Sequence, residues 1–162
     1  METPALRPAT TQDIDALVSL YIEFHEFHVL GVPERLRKPD TYDETTLRNT
    51  LYELIQRDDA QLIVVDSAGK LVGLAEVYLH QEESHPLTVA HRYGYLQSLI
   101  ISAPFRKSGL GKQLVVAAHQ WVKEQHATEM RVEIWEFAQG PLHFYEALGY
   151  RTLKRDLVID LD

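Results

Sequence analysis

Gly109 and Gly111 stand one residue apart inside FRKSGLGKQ, residues 105–113, flanked by Arg106, Lys107 and Lys112. Glycine lets backbone approach a bound group closely and take up positive φ without a Cβ clash. Unpaired N–H groups at a helix start sit at the positive end of its dipole, where phosphate oxygens bind. The stretch therefore reads as a loop built to hold an anion. A Walker loop needs glycine five residues before the Gly-Lys pair and Ser or Thr after it; position 106 is Arg and position 113 is Gln. A dinucleotide fingerprint needs a third glycine, where this chain has Leu114. What remains is Arg-x-x-Gly-x-Gly, on Arg106, Gly109 and Gly111.

Such a loop works only if a strand delivers it and a helix carries its amides. YLQSLIIS, residues 95–102, reads as the strand, and Leu110, Leu114, Ala118, Trp121, Val122 and Gln125 recur at helical spacing behind the loop. Upstream, LRPAT suggests a short strand, and Thr10 with Asp13 matches a capping box before a helix over about 12–29. Thr41 and Glu44 suggest a second box, followed by Leu47, Leu51, Leu54 and Ile55 on one face. QLIVVD and LVGLAEVYLH read as a hairpin turning at SAGK. Downstream, MRVEIWEF alternates as a strand, PLHFYEALGY opens with proline and closes with glycine as helices do, and LKRDLVIDL reads as a last strand. This order predicts one mixed α/β (α+β) domain over residues 1–162, with helices packed on a central sheet.

Composition narrows the function. The 162 residues are 45% hydrophobic and 25% charged, enough for one continuous core. No apolar run is long enough for a membrane helix, and the N-terminus lacks a secretory pattern. The absence of cysteine excludes disulfides and thiolate chemistry, and fits a cytoplasmic setting. A formal charge of −8 argues against general nucleic-acid affinity. The cationic cluster around Gly109 stands out against that acidic background.

LIISAPFRKSGLGKQLVVAAHQWV resembles the fourth strand, pyrophosphate loop and third helix of the GNAT superfamily of N-acetyltransferases. HFYEALGY, some 35 residues on, is similar to that family's Phe-Tyr-Glu-x-Gly-Phe signature. The resemblance is tight over residues 95–150 and holds in pattern before that. It implies a mostly antiparallel sheet of six to seven strands, flanked by about four helices, with splayed fourth and fifth strands. It also implies acetyl-CoA as co-substrate and no metal. The pyrophosphate would lie on the amides of Lys107, Ser108, Gly109, Leu110, Gly111 and Lys112, with added charge from Arg106 and Lys112. The pantetheine arm would pair with backbone at Leu99, Ile100 and Ile101, where an amide donor would meet the thioester oxygen. Direct transfer to an amine needs a base for the ammonium and an acid for the leaving thiolate. Tyr145 matches the family tyrosine near the sulfur and is the expected acid.

The base is open. Many members carry Glu where this chain has Gln97, which cannot accept a proton. Glu76, His80, His91 and Glu133 are the substitutes by position, or a water chain serves. The Asn that often precedes the tyrosine helix is Ala138 here. His25 and His28 sit three apart on one helix, and packing explains them better than a metal does, since no third ligand has the right spacing. HQEESH lacks the spacing of a zinc helix. The link at residues 30–41 and the loop carrying Glu82 and Glu83 would border the acceptor.

Two readings follow: an acetyltransferase acting on a small-molecule or peptide amine, or an acyl-CoA sensor that kept the loop but not efficient catalysis. The last strand would also leave an exposed edge compatible with a homodimer.

Overall fold

A computed structural model describes residues 3–161 of the chain. Strand β1 (Ala5–Pro8) leads through a 3-10 turn (Thr11–Asp13) into helix α1 (Ile14–Gly31), and helix α2 (Glu44–Ile55) follows. Strands β2 (Ala60–Ser67), β3 (Lys70–Gln81) and β4 (Arg92–Ile101) come next, then α3 (Leu110–Glu124), β5 (Glu129–Val132) and α4 (Leu142–Ala147). The sheet runs β1-β2-β3-β4-β5. The first three pairings are antiparallel, and β4 pairs with β5 in parallel.

Local chemistry explains these elements. Thr10 N–H donates to Asp13 Oδ2 at 2.8 Å, so the expected capping box forms. Asp13 also accepts from Arg7, which ties the first helical turn to β1. The second expected box does not form. Asp43 is the N-cap of α2 and accepts from Thr46 N–H at 3.0 Å, because it stands two residues closer to the first helical turn than Thr41. The β2–β3 hairpin turns through positive φ at Ala68 and Gly69, the conformation that suits a tight right-twisted hairpin.

Helices α1 and α2 cover one face, packing Leu17, Leu20, Leu51 and Leu54 against Leu62, Val64, Leu74 and Ile100. Helix α3 covers the other, packing Leu114, Val115, Ala118 and Val122 against Val65, Ala75, Val77 and Leu96; Tyr145 of α4 joins that cluster. A Cβ on Gly94 would lie 2.4 Å from Val122 Cγ2, so bare backbone there lets α3 settle on β4.

The sheet has five strands among the described residues, not six to seven. Of MRVEIWEF only Met130, Arg131 and Val132 are strand, within β5, because the ladder with β4 ends at the Leu96–Val132 pair. LKRDLVIDL forms no strand, since no neighbouring strand pairs with it within one chain. The β4–β5 pairing does stop early. Leu96 opposite Val132 is the last β4–β5 pair, yet β4 continues to Ile101.

Candidate active site

The open edge of β4 beyond Leu96 leads directly into the glycine loop. Lys107 and Gly109 have φ of 61° and 86°, and α3 starts at Leu110. Gly109 takes the left-handed conformation with nothing near its missing Cβ, so backbone angle rather than space demands glycine there. Gln113 N–H makes the first bond of the helix, to the Gly109 carbonyl. No described backbone carbonyl accepts from the N–H groups of Lys107 to Lys112. These amides gather at the positive end of a 15-residue helix, with the Lys107 and Lys112 side chains exposed beside them.

Arg106 does not aim a free charge at the loop. Its Nε donates to the Ile101 carbonyl at 2.9 Å, its Nη2 to Glu23 Oε1 at 3.2 Å, and its guanidinium lies over the Phe27 ring. Glu23 also accepts from Ala103 N–H at 2.8 Å and Ser102 Oγ at 3.2 Å. A single α1 carboxylate thus clamps the β4–α3 connection. Sequence reading missed Glu23, since one acidic residue on a helix carries no local signal.

Tyr145 is 5% exposed and shares its cluster with Leu110 and Leu114 of α3 and with Ile101 of β4. Burial pushes its phenol well above the usual range, so it stays protonated at neutral pH. Its ring meets Phe144 and Tyr150 edge-on, and Tyr150 Oη lies 2.7 Å from His119 Nε2. Burial raises Tyr150 to about 12 and lowers His119.

On the opposite face, Glu76 is 6% exposed and enclosed by hydroxyls. Tyr21 Oη donates to Oε2 at 2.7 Å, Ser98 Oγ to Oε2 at 2.8 Å, and Tyr78 Oη to Oε1 at 2.6 Å. Burial first, then the Glu76 charge, pushes the Tyr21 phenol up. Register places Glu76 opposite β4 just beyond its last pair with β5. Val77 faces Leu96 and Glu76 faces Ser98, leaving Gln97 as the extra residue of a β-bulge, exposed at the point where β5 departs. Leu99, Ile100 and Ile101 follow along the unpaired stretch, with Ile100 turned to the α1/α2 face and the other two to the α3 face.

Tyr21 also lines a cavity of about 320 Å³ with Ile22, His25, Pro39, Tyr42 and Leu47. The expected border segment at residues 30–41 contributes Pro39, and the Arg37 carbonyl lies 2.9 Å from His25 Nε2. His28 Nδ1 is spent on the Phe24 carbonyl. The remaining base candidates separate. His80 stacks on Tyr93, and His91 lies near Glu82 and Glu129, both at the paired end of β4 and away from the bulge. Glu82 is engaged by Arg131, and Glu83 is exposed in the same loop. Glu133 is exposed just after the last β5 pair. Ala138 is exposed in the connection to α4. Among the described residues, no three His, Cys, Asp or Glu converge as a metal set, and no helix is long and apolar enough to cross a membrane.

This geometry has counterparts. A family model described as "Acetyltransferase (GNAT) family" matches residues 16–150. An acetyltransferase-named protein of Bacillus subtilis is 39% identical over 67 residues, covering 41% of this chain and 44% of that protein. The alignments span only 44% and 61% of the two curated relatives that match. A four-substitution variant of the Bacillus halodurans BH1408 protein superposes with a TM-score of 0.86 at 22% identity, covering 97% of this chain and 99% of the other. AAC(6')-Iy, solved with a bisubstrate analogue containing CoA and acetylneamine, superposes at 0.73 with 16% identity and 99% coverage of both chains.

Proposed function

The chain belongs to the acetyltransferase (GNAT) family, and on that premise we propose that it transfers acetyl from acetyl-CoA directly to a primary amine of a small molecule or peptide. The run of unpaired amides from Lys107 to Lys112, opening onto the unpaired edge of β4, is the observation that carries this reading. The pyrophosphate binds those amides, and the pantetheine lies along Leu99 to Ile101 in the gap left by β5. A fold neighbour solved with a CoA-containing bisubstrate analogue supports CoA as the ligand.

The chemistry then falls to groups on the two sides of that gap. The acceptor enters from the α1/α2 side, where Gln97 stands exposed and the link before α2 shapes the cavity at Tyr21 and His25. The ammonium gives up a proton to Glu76, relayed by Tyr21 or Ser98, and the free amine attacks the thioester carbonyl. A backbone N–H near Leu99 stabilises the oxyanion. As the C–N bond completes, the C–S bond breaks and the nitrogen's second proton passes to Tyr145 as that phenol donates its own to sulfur, so the tyrosine ends neutral. Tyr145, held neutral by burial, supplies the proton that the thiolate takes up.

A second reading has its own support. Gln97 carries no titratable group, and the Glu76 carboxylate already accepts three hydroxyl bonds, the arrangement of a CoA sensor with little turnover. Mass spectrometry of an amine panel with acetyl-CoA separates the two. Multiple turnovers on any amine support the enzyme; tight acetyl-CoA binding with no product across the panel supports the sensor. Thermal stabilisation by NAD and not by CoA overturns both.

A further inference from the structure

We propose that the acetyl acceptor is a primary amine joined by a short carbon arm to an apolar ring, and that the cavity between α1, the linker at residues 32–43 and α2 holds that ring. The inference rests on the acetyl-transfer reading above and adds the chemical class of the acceptor. The cavity, of about 320 Å³, is lined by Tyr21, Ile22 and His25 of α1, Pro39 and Tyr42 of the linker, and Leu47 of α2. Aromatic and aliphatic carbon dominates this wall. His25 and Tyr42 meet edge-on, with centroids 6.0 Å apart and planes at 85°, an arrangement that favours a further ring beside them.

The side-chain polar atoms of the wall are already committed. Tyr21 Oη donates to Glu76 Oε2 at 2.7 Å. His25 Nε2 lies 2.9 Å from the Arg37 carbonyl, which can only accept, so that nitrogen carries the hydrogen. Tyr42 Oη is directed to Glu26 Oε1 at 3.5 Å, and Lys38 neutralises that carboxylate at 2.5 Å. Among the described residues, His25 Nδ1 is the one polar side-chain atom of the wall left without a partner. A sugar amine would bring several hydroxyls here, and a diamine a second ammonium, and each would lose water without replacement. An apolar ring carries no such cost and gains by leaving water.

Tyr21 also fixes where the amine goes. Its ring stands in the cavity wall, while its hydroxyl reaches Glu76 next to the bulge at Gln97. That oxygen gives its hydrogen to Glu76 and keeps a lone pair that can accept from an ammonium. A ring lying against Tyr21, with its amine at the Tyr21 hydroxyl, puts the nitrogen on the proton path to Glu76. The net charge of −8 favours approach of the cationic form.

Steady-state kinetics of the whole chain with saturating acetyl-CoA test this, using phenethylamine, ethylamine, putrescine and glucosamine as acceptors. The expected kcat/KM for phenethylamine exceeds each of the others at least ~10-fold, as burial of a phenyl ring predicts. Leu47→Trp, which fills the cavity, should bring the phenethylamine-to-ethylamine ratio below ~3-fold. If that variant fails to fold, Tyr42→Ala, which removes one ring of the wall, should lower the same ratio. Equal or better use of ethylamine, putrescine or glucosamine overturns the proposal and leaves acetyl transfer standing. So does a ratio that survives the variant intact. Product from none of the four, with acetyl-CoA bound, counts against acetyl transfer itself, and the proposal falls with it.

Discussion

Tyr21 of α1 and Glu76 of β3 meet at 2.7 Å next to the bulge that carries Gln97, so α1 is bonded to the buried carboxylate. Replacing Glu76 by Gln keeps the shape but turns an amide N–H₂ towards hydroxyls that already donate. Unfolding should become easier by about 1–3 kcal/mol, the cost of mismatched buried polar groups. If Glu76 takes the ammonium proton, kcat falls by about 100-fold or more as well. Urea unfolding beside steady-state kinetics separates the two effects. Lost stability with an unchanged kcat would restrict Glu76 to structure.

Tyr145→Phe removes one oxygen from a buried ring. If Tyr145 protonates the leaving thiolate as proposed, turnover should drop by about 100-fold or more while acetyl-CoA affinity changes little. Equal turnover in mutant and wild type takes Tyr145 out of the mechanism.

Gly109→Ala asks a Cβ to accept φ of 86°, at a cost of about 1–2 kcal/mol. The loop amides lose their alignment, so the acetyl-CoA KM should rise roughly 10-fold with kcat less affected. An unchanged KM for this variant would show that the loop does not hold the pyrophosphate.

Arg106 and Glu23 should behave as one unit. The pair is partly exposed, at 40% and 35%, so its stability contribution is at most about 1 kcal/mol. Arg106→Ala and Glu23→Gln should each weaken acetyl-CoA binding, and the double variant should be no worse than the poorer single one. Additive losses would instead give Arg106 its own contact with the coenzyme.

Acid should expose the Arg7–Asp13 pair. The Arg7 guanidinium, aided by the Thr10 amide, holds the Asp13 carboxyl at about 2, below the roughly 3.9 of an unfolded chain. A depressed acid stabilises the fold above the unfolded value and loses that contribution as pH falls from about 4 towards 2. Asp13→Asn should therefore cost about 1–2 kcal/mol at pH 7, with the gap to wild type closing in that window. A pH-independent gap in urea midpoints would contradict this.

Much of the fold was legible because it rests on near neighbours along the chain. The Thr10–Asp13 box, the Ala68–Gly69 turn and the amphipathic face of α3 are set within a few residues, where spacing and side-chain type decide the outcome. The anion loop is legible for the same reason, since a strand end, two glycines and a helix start are contiguous. The Thr41 box failed because Asp43, two residues on, competes for the same amides. The last strand failed for a different reason: its pattern specifies a strand, but pattern cannot supply the neighbour that a ladder needs.

By itself, then, the sequence determined the order of elements from β1 to α4, the stretch Lys107 to Lys112 at the start of α3 and the placing of Tyr145 on a short helix after it. Only the tertiary structure decided what Glu76 and Arg106 touch. Tyr21 and Glu76 are 55 residues apart and Glu23 and Arg106 are 83 apart. Such pairs form because α1 is laid across β3 and β4 by burial of Leu17, Leu20 and Leu74, and a non-directional force of that kind leaves no spacing rule for polar partners.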